Sequence, residues 1–380
     1  MEYKDTYSAW GKYIGECRHL INDRQYTLKD TAGLSPNTVS FKSDSEISDI
    51  IRKHRTDMIK TKIDHTLRMI DQIVKVNENL DLSTNLALVI KVAVLYHDIG
   101  RFRLATWSNT FSDSSYSFVA SPFTNHGQDG CDIFLNNDFE VEGRYIPIIA
   151  ESILHHLDHT SVPKLNYRYE NGVRTLNIDD IVTGDLRLNE GEWQIASLIT
   201  QLVADVDKID ILYQHLDDGF EMIRDWITDN SLKSLDEIAK YWGITKQEIL
   251  EYNNITEKDY NQSPRKIRIP IKNIELSKLE VPQHMKDMFY NNNWPPLKEL
   301  QNDLKWNFIS ILWWRLSEFL NQISFTSVLN TVSETDLLRK IYTKIPDNLK
   351  PLFTEAFQYA EEYLLGERLK NNEGNIYLGK

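Results

Sequence analysis

From Asp44 to about Leu157, apolar residues return every third or fourth position, the repeat of an amphipathic helix. Ile47, Ile50 and Ile51 open one such run, and Leu67, Ile70, Ile73 and Val74 carry another. The stretch from Leu86 to Tyr96 is apolar on nearly every side, which predicts a helix buried at the centre of its domain. Ser83 stands just ahead of it as an N-cap, and Gly100 is suited to end it in the left-handed conformation. A further apolar helix is predicted over residues 146–156. Another is predicted over 193–212, with Ile195, Leu198, Ile199, Leu202 and Val206 along one side. Two stretches carry no helical period. Residues 107–125 are rich in Ser, Thr and aromatics and read as a covering loop, while Asn171-Gly172 between short alternating runs signals a hairpin over 167–178.

Beyond about Asp225 the pattern changes. Leu235, Ile238 and Ala239 make one short apolar face and Ile249 and Leu250 another, predicting two small helices. Gly243 ends the first; Thr245 caps the second, with Glu248 completing a capping box. The alternating Lys266–Pro270 predicts a closing strand. After Pro295-Pro296, residues 297–319 and the stretch to Leu365 read as aromatic-rich helices, followed by a polar tail from Lys370.

Composition narrows the class. Of 380 residues, 41% are hydrophobic and 26% charged, which is globular composition, and the low Gly (15) and Pro (11) counts favour helices over many-stranded sheets. No apolar run approaches the ~20 residues of a membrane span. No basic-then-apolar leader opens the chain, and two cysteines are too few for a disulfide framework or a thiolate metal site, so a reducing cytoplasm is expected. The net charge of −13 repels phosphate backbones, so duplex nucleic acid is not an expected partner. A small anionic substrate stays open, because a metal inverts the local field of a pocket.

Candidate chemistry lies in the histidines and aspartates. His97-Asp98 directly follows the buried apolar run, so both side chains are delivered to the interior, where an ionised carboxylate is costly without compensation. His155-His156 closes the next apolar helix; Asp207 lies in an apolar stretch; His65 begins the face carrying Met69 and Ile73; His126 follows the aromatic loop. One buried histidine is more often a hydrogen-bonded core residue than a ligand. Six such residues at apolar helix ends and faces point instead to a metal site of imidazoles and carboxylates, and more than four ligands suggest two ions bridged by Asp98.

His65, His97-Asp98 in Tyr-His-Asp-Ile-Gly-Arg-Phe, and Asp207 in Asp-Val-Asp-Lys-Ile-Asp resemble the H…HD…D signature of HD-domain metal-dependent phosphohydrolases over about residues 45–215. The resemblance implies a mainly α HD fold over residues 1–220. It also implies two divalent ions (Mn, Fe, Ni, Co, Zn or Mg), one held by His65, His97, Asp98 and Asp207, the other by Asp98, His126 and His155 or His156. Thr61 stands where trinuclear relatives carry an acid, which argues against a third ion. The implied reaction is hydrolysis of a phosphoester bond of a nucleotide-like substrate by a metal-bound hydroxide. Asp98, Arg101 and Lys208 are the implied catalytic residues, Arg101 occupying the place of a phosphate-reaching cation, and Arg101, Lys208 and Arg68 are the substrate-binding candidates. Thr110-Phe-Ser-Asp113 and Asn125 resemble family loop positions, and His54 is assigned a surface or supporting role.

Residues 225–273 resemble a lysin-motif (LysM) module, a βααβ unit, through the Ile-Ala…Gly, Asn-Asn-Ile and Ile-Arg-Ile-Pro pieces. Helices over 285–370 are expected to pack back on the first domain. Alternatives are a cyclic or oligonucleotide phosphodiesterase and a non-catalytic, metal-stapled scaffold binding through the LysM-like module. Self-association stays open, as does a glycan ligand for that module, although a spacer or dimer contact suits a chain without an export signal better.

Overall fold

The structure is a computed structural model and describes residues 3–31, 34, 43–80, 82–109, 126–156, 188–217, 226–229, 233–262, 267–270, 281, 283–294, 307–345, 347 and 349–371. The covering loop expected over 107–125 from residue 110 on, the hairpin expected at 167–178 and the tail beyond 371 lie outside the described residues. What is described is mainly helical, and none of these helices is long and apolar enough to cross a membrane. Two compact units divide between Asp207 and Lys208.

In the first unit, α1 (Tyr3–Asp23) buries Trp10, Tyr13, Ile14, Cys17 and Ile21 along one face, a helix that the sequence reading did not include. The two apolar runs expected after Asp44 belong to a single 37-residue helix, α2 (Asp44–Leu80). It opens on a capping box, the Ser43 amide donating to Glu46 Oε2 at 2.8 Å and the Glu46 amide to Ser43 Oγ at 3.4 Å. Helix α3 (Thr84–Tyr96) is the central one: Leu86, Val89, Ile90 and the whole run Val92–Tyr96 are buried, and α1, α2 and α6 (Ile146–His155) pack against it. Ser83 caps it as expected, accepting from the Leu86 amide.

Gly100 does not end α3. That helix stops at Tyr96, and Gly100 lies inside the next one, α4 (Ile99–Ala105), with no left-handed backbone. The reason for glycine is proximity: a Cβ there would strike the His126 carbonyl oxygen and stand 2.9 Å from the Gly130 amide nitrogen. Gly100 thus lets α4 lie directly on α5 (His126–Asn136). The turn after α4 is tied down by Arg55 of α2, which is buried and donates to Asn109 Oδ1 at 2.8 Å and to the carbonyls of Thr106 (2.7 Å) and Trp107 (3.0 Å). Helix α7 (Glu190–Asp217) starts on reciprocal Asn189–Glu192 bonds.

In the second unit, β1 (Trp226–Asp229) and β2 (Ile267–Pro270) form an antiparallel pair with Trp226 opposite Pro270. Three helices intervene rather than the expected two: α8 (Leu235–Trp242), α9 (Lys246–Asn253) and α10 (Glu257–Gln262). Their local signals are as the sequence reads. Gly243 ends α8 at φ 68°, and both α8 and α9 carry full capping boxes, Ser234/Glu237 and Thr245/Glu248. Helices from Gln283 onward enclose a core of Phe289, Trp313, Leu316, Ile341 and Phe353.

Gly100→Ala should lower the thermal unfolding midpoint markedly, by the equivalent of about 1–3 kcal/mol for an overpacked site with backbone on the receiving side. A melting curve superimposable on that of the native chain would contradict the close approach of α4 to α5.

Candidate metal centre

The sequence places His97 and Asp98 at the seam between α3 and α4, where the buried helix stops and the chain turns. Asp98 holds the N-cap position of α4, yet its side chain makes no capping bond. An Asp there would ordinarily bond the first amides of the helix; this carboxylate points instead into a cluster of side chains and is only 4% exposed. Around it stand His65 from α2, His126 at the start of α5, His156 at the end of α6 and Asp207 from α7.

The two oxygens of Asp98 face different groups. Oδ2 lies 3.5 Å from His65 Nε2 and 3.6 Å from His97 Nε2, while Oδ1 lies 3.6 Å from His126 Nε2. His65 Nε2 is also 3.2 Å from His97 Nε2 and 3.3 Å from Asp207 Oδ1. The His156 ring stands edge-on to those of His97 and His126, with centroids 5.3 and 5.2 Å away. Two triads of donor atoms result, His65/His97/Asp98 and Asp98/His126/His156, each compact enough to hold a metal ion, and they share Asp98.

Tautomers follow from the partners. His97 Nδ1 contacts the Val94 carbonyl at 2.7 Å, and His156 Nδ1 contacts the Ile153 carbonyl at 2.7 Å. A carbonyl oxygen only accepts, so Nδ1 carries the proton and the Nε2 lone pair of each neutral ring is turned inward. The His126 Nε2 atom lies 3.2 Å from Arg101 Nη2, which only donates, so this lone pair also faces the cluster. His156 Nε2 is buried and has no hydrogen-bond partner among the described residues. The inward Nε2 lone pair of His97 faces Asp98 Oδ2 across 3.6 Å, a contact that is unfavourable unless a proton or cation lies between them. The donor set, imidazoles of which those of His97 and His156 are backed by carbonyls, together with the Asp98 and Asp207 carboxylates, fits a divalent transition ion.

Charge follows the same logic. Burial would raise the Asp98 pKa, but the Lys62 ammonium 2.5 Å from Oδ2 outweighs it, with His97, His65 and Arg101 adding, and the carboxyl is held well below its ordinary value. Burial likewise opposes ionisation of Asp207, and the hydrogen bond from His65 wins. Burial lowers the pKa of both His97 and His156, the latter to about 4 with His97 contributing.

Of the residues picked out in sequence, His65, His97, Asp98, His126, His156 and Asp207 converge. Arg101 joins them, its Nε 3.3 Å from Asp98 Oδ1. His155 does not: its ring is 37% exposed and pairs with Glu151 at 3.0 Å. Arg68 is half-buried on α2, and Lys208 is buried, with its charge felt by Glu318. His54 supports the turn after α4, its Nε2 2.8 Å from the Asn109 carbonyl oxygen. Thr61 is exposed and bonds back to Asp57. Lys62 was missed in sequence. Its signal was a cation three positions before His65, hence on the same helical face.

His156→Ala should remove one bound ion per chain, whereas His155→Ala should leave metal content unchanged, read by elemental analysis after reconstitution; equal losses from both would contradict the assignment. Because folded His156 takes up a proton less readily than an unfolded histidine, the stability it contributes is whole above its ordinary value of 6.5 and is lost as pH falls toward about 4. Thermal melts of chelator-treated protein should decline across that window, and a flat profile would contradict a buried neutral ring. No protein-family model matches the chain, and no curated protein or solved structure matches it either.

Proposed function

We propose that the chain is a divalent-metal-dependent phosphohydrolase of the HD-domain kind, acting on a small nucleotide-like phosphoester. The observation that carries this reading is the placement of Asp98, one carboxylate oxygen toward His65 and His97 and the other toward His126. A single buried carboxylate shared by two ligand triads is the arrangement a pair of ions requires. Bound there, divalent ions supply charge neutralisation for a phosphoryl group and water acidic enough to attack near neutral pH.

The protein's own share is positioning. The Val94 and Ile153 carbonyls hold the His97 and His156 rings with Nε2 inward, which fixes ligand direction before anything binds. Arg101 sets its guanidinium between Asp98 and His126, with donors suited to phosphoryl oxygens. With divalent ions bound, the acidic chain would gain a locally cationic site, which suits a small anion. For residues 226–270, the strand pair with helices between its partners supports the lysin-motif likeness. We read that module as a spacer or self-association contact.

The test is hydrolysis of generic phosphomonoesters and diesters with Mn, Co, Ni or Mg by the native chain and by Asp98→Ala. The native chain should turn over only with metal. The variant should lose bound metal and fall by about a hundredfold or more in rate while keeping its helical circular dichroism. Turnover of Asp98→Ala at the native rate would contradict the site. Bound metal with no hydrolysis of either ester class would favour a metal-stapled scaffold.

A further inference from the structure

Each oxygen of Asp98 already carries a cation of the chain itself. Lys62 Nζ donates to Oδ2 at 2.5 Å, and Arg101 Nε lies 3.3 Å from Oδ1. These are the same two oxygens that the ligand triads use, Oδ2 with His65 and His97, Oδ1 with His126. A divalent ion among His65, His97 and Oδ2 would compete with the Lys62 ammonium for one oxygen, and two cations crowded on a buried carboxylate repel strongly. The Lys62 ammonium sits at the end of a side chain that can swing. Its stem is a flexible unbranched chain, and Lys62 and His65 leave the same face of α2 three residues apart.

Side chains of Lys62, Arg101 and Asp207 are 14%, 15% and 17% exposed, whereas those of His65, His97 and His126 are 0–1%. Among the described residues of the cluster, Lys62, Arg101 and Asp207 are thus the side chains that reach solvent. An ammonium leaving Asp98 toward solvent would meet an arriving anion.

We propose that Lys62 is a displaceable counter-ion and substrate-binding residue: it yields Asp98 Oδ2 to a divalent cation and is redirected to a phosphoryl oxygen of the ligand. This rests on the metal reading of the site. It couples cation and anion binding, so each tightens the other by the same factor. It also gives the chain a second phosphate-binding cation beside Arg101.

The test uses the full chain, with MnCl2 and inorganic phosphate as probes followed by calorimetry, in the native protein, Lys62→Met and Lys62→Arg. Lys62→Met should bind Mn about tenfold more tightly, and its Mn-saturated form should bind phosphate about tenfold more weakly, the worth of one charge-assisted bond. Lys62→Arg should retain phosphate binding. Unchanged affinities in Lys62→Met, or weaker Mn binding, would overturn the role of Lys62 while leaving the metal site standing. A native chain that binds no Mn would overturn the metal reading and this role together. The native protein offers a second measurement that needs no variant. Reductive methylation of Lys62, read by peptide mass spectrometry, should rise with Mn and fall again with phosphate; reactivity unmoved by Mn would overturn the proposal.

Discussion

A carboxylate taken out of water at the junction of two helices must be compensated, and around Asp98 every neighbouring element contributes to that compensation. Lys62 comes from α2, Arg101 from α4, and three imidazoles from α2, α3 and α5 approach within 3.6 Å. The side chain forgoes the capping bond its position offers, so the start of α4 gives up local stabilisation to keep both oxygens turned inward. A carboxylate placed this way costs stability unless the surrounding positive charge is kept.

The scaffold exists to bring these groups together. The apolar surface of α3 on all sides makes it the packing centre, and its end therefore delivers His97 and Asp98 to the interior. The length of α2 lets one helix carry Arg55, which anchors the turn after α4, and Lys62 and His65, which face the cluster. Gly100 lets α5 approach closely enough for His126 to reach Asp98. Backbone carbonyls left over near the ends of α3 and α6 orient the His97 and His156 rings. Apolar burial thus places the histidines, and hydrogen bonds to spare carbonyls aim them.

Signals confined to a few consecutive residues were legible in the sequence. The Ser83 cap, the left-handed Gly243, the Thr245/Glu248 box and the His65–Met69–Ile73 face all depend on spacing within one or two turns. Features set by tertiary approach were not. Gly100 resembles any helix-ending glycine until the backbone of α5 is seen against it. His155 and His156 are equivalent in sequence, and only the roll of α6 turns one inward and leaves the other with Glu151. Lys62 reads as an ordinary polar residue on a helix until Asp98, 36 positions later, is brought to it. The first helix could have been found from the spacing of Trp10, Ile14, Cys17 and Ile21, a face interrupted by enough polar and glycine positions to dilute its pattern.

The most direct measurement is X-ray absorption at the metal edge of the Mn-reconstituted chain. The account predicts a nitrogen and oxygen shell with the outer-shell scattering of imidazole rings and a second metal about 3.5–4 Å away. An edge showing only the oxygen shell of hydrated, nonspecifically held ions, with no imidazole scattering, would contradict it.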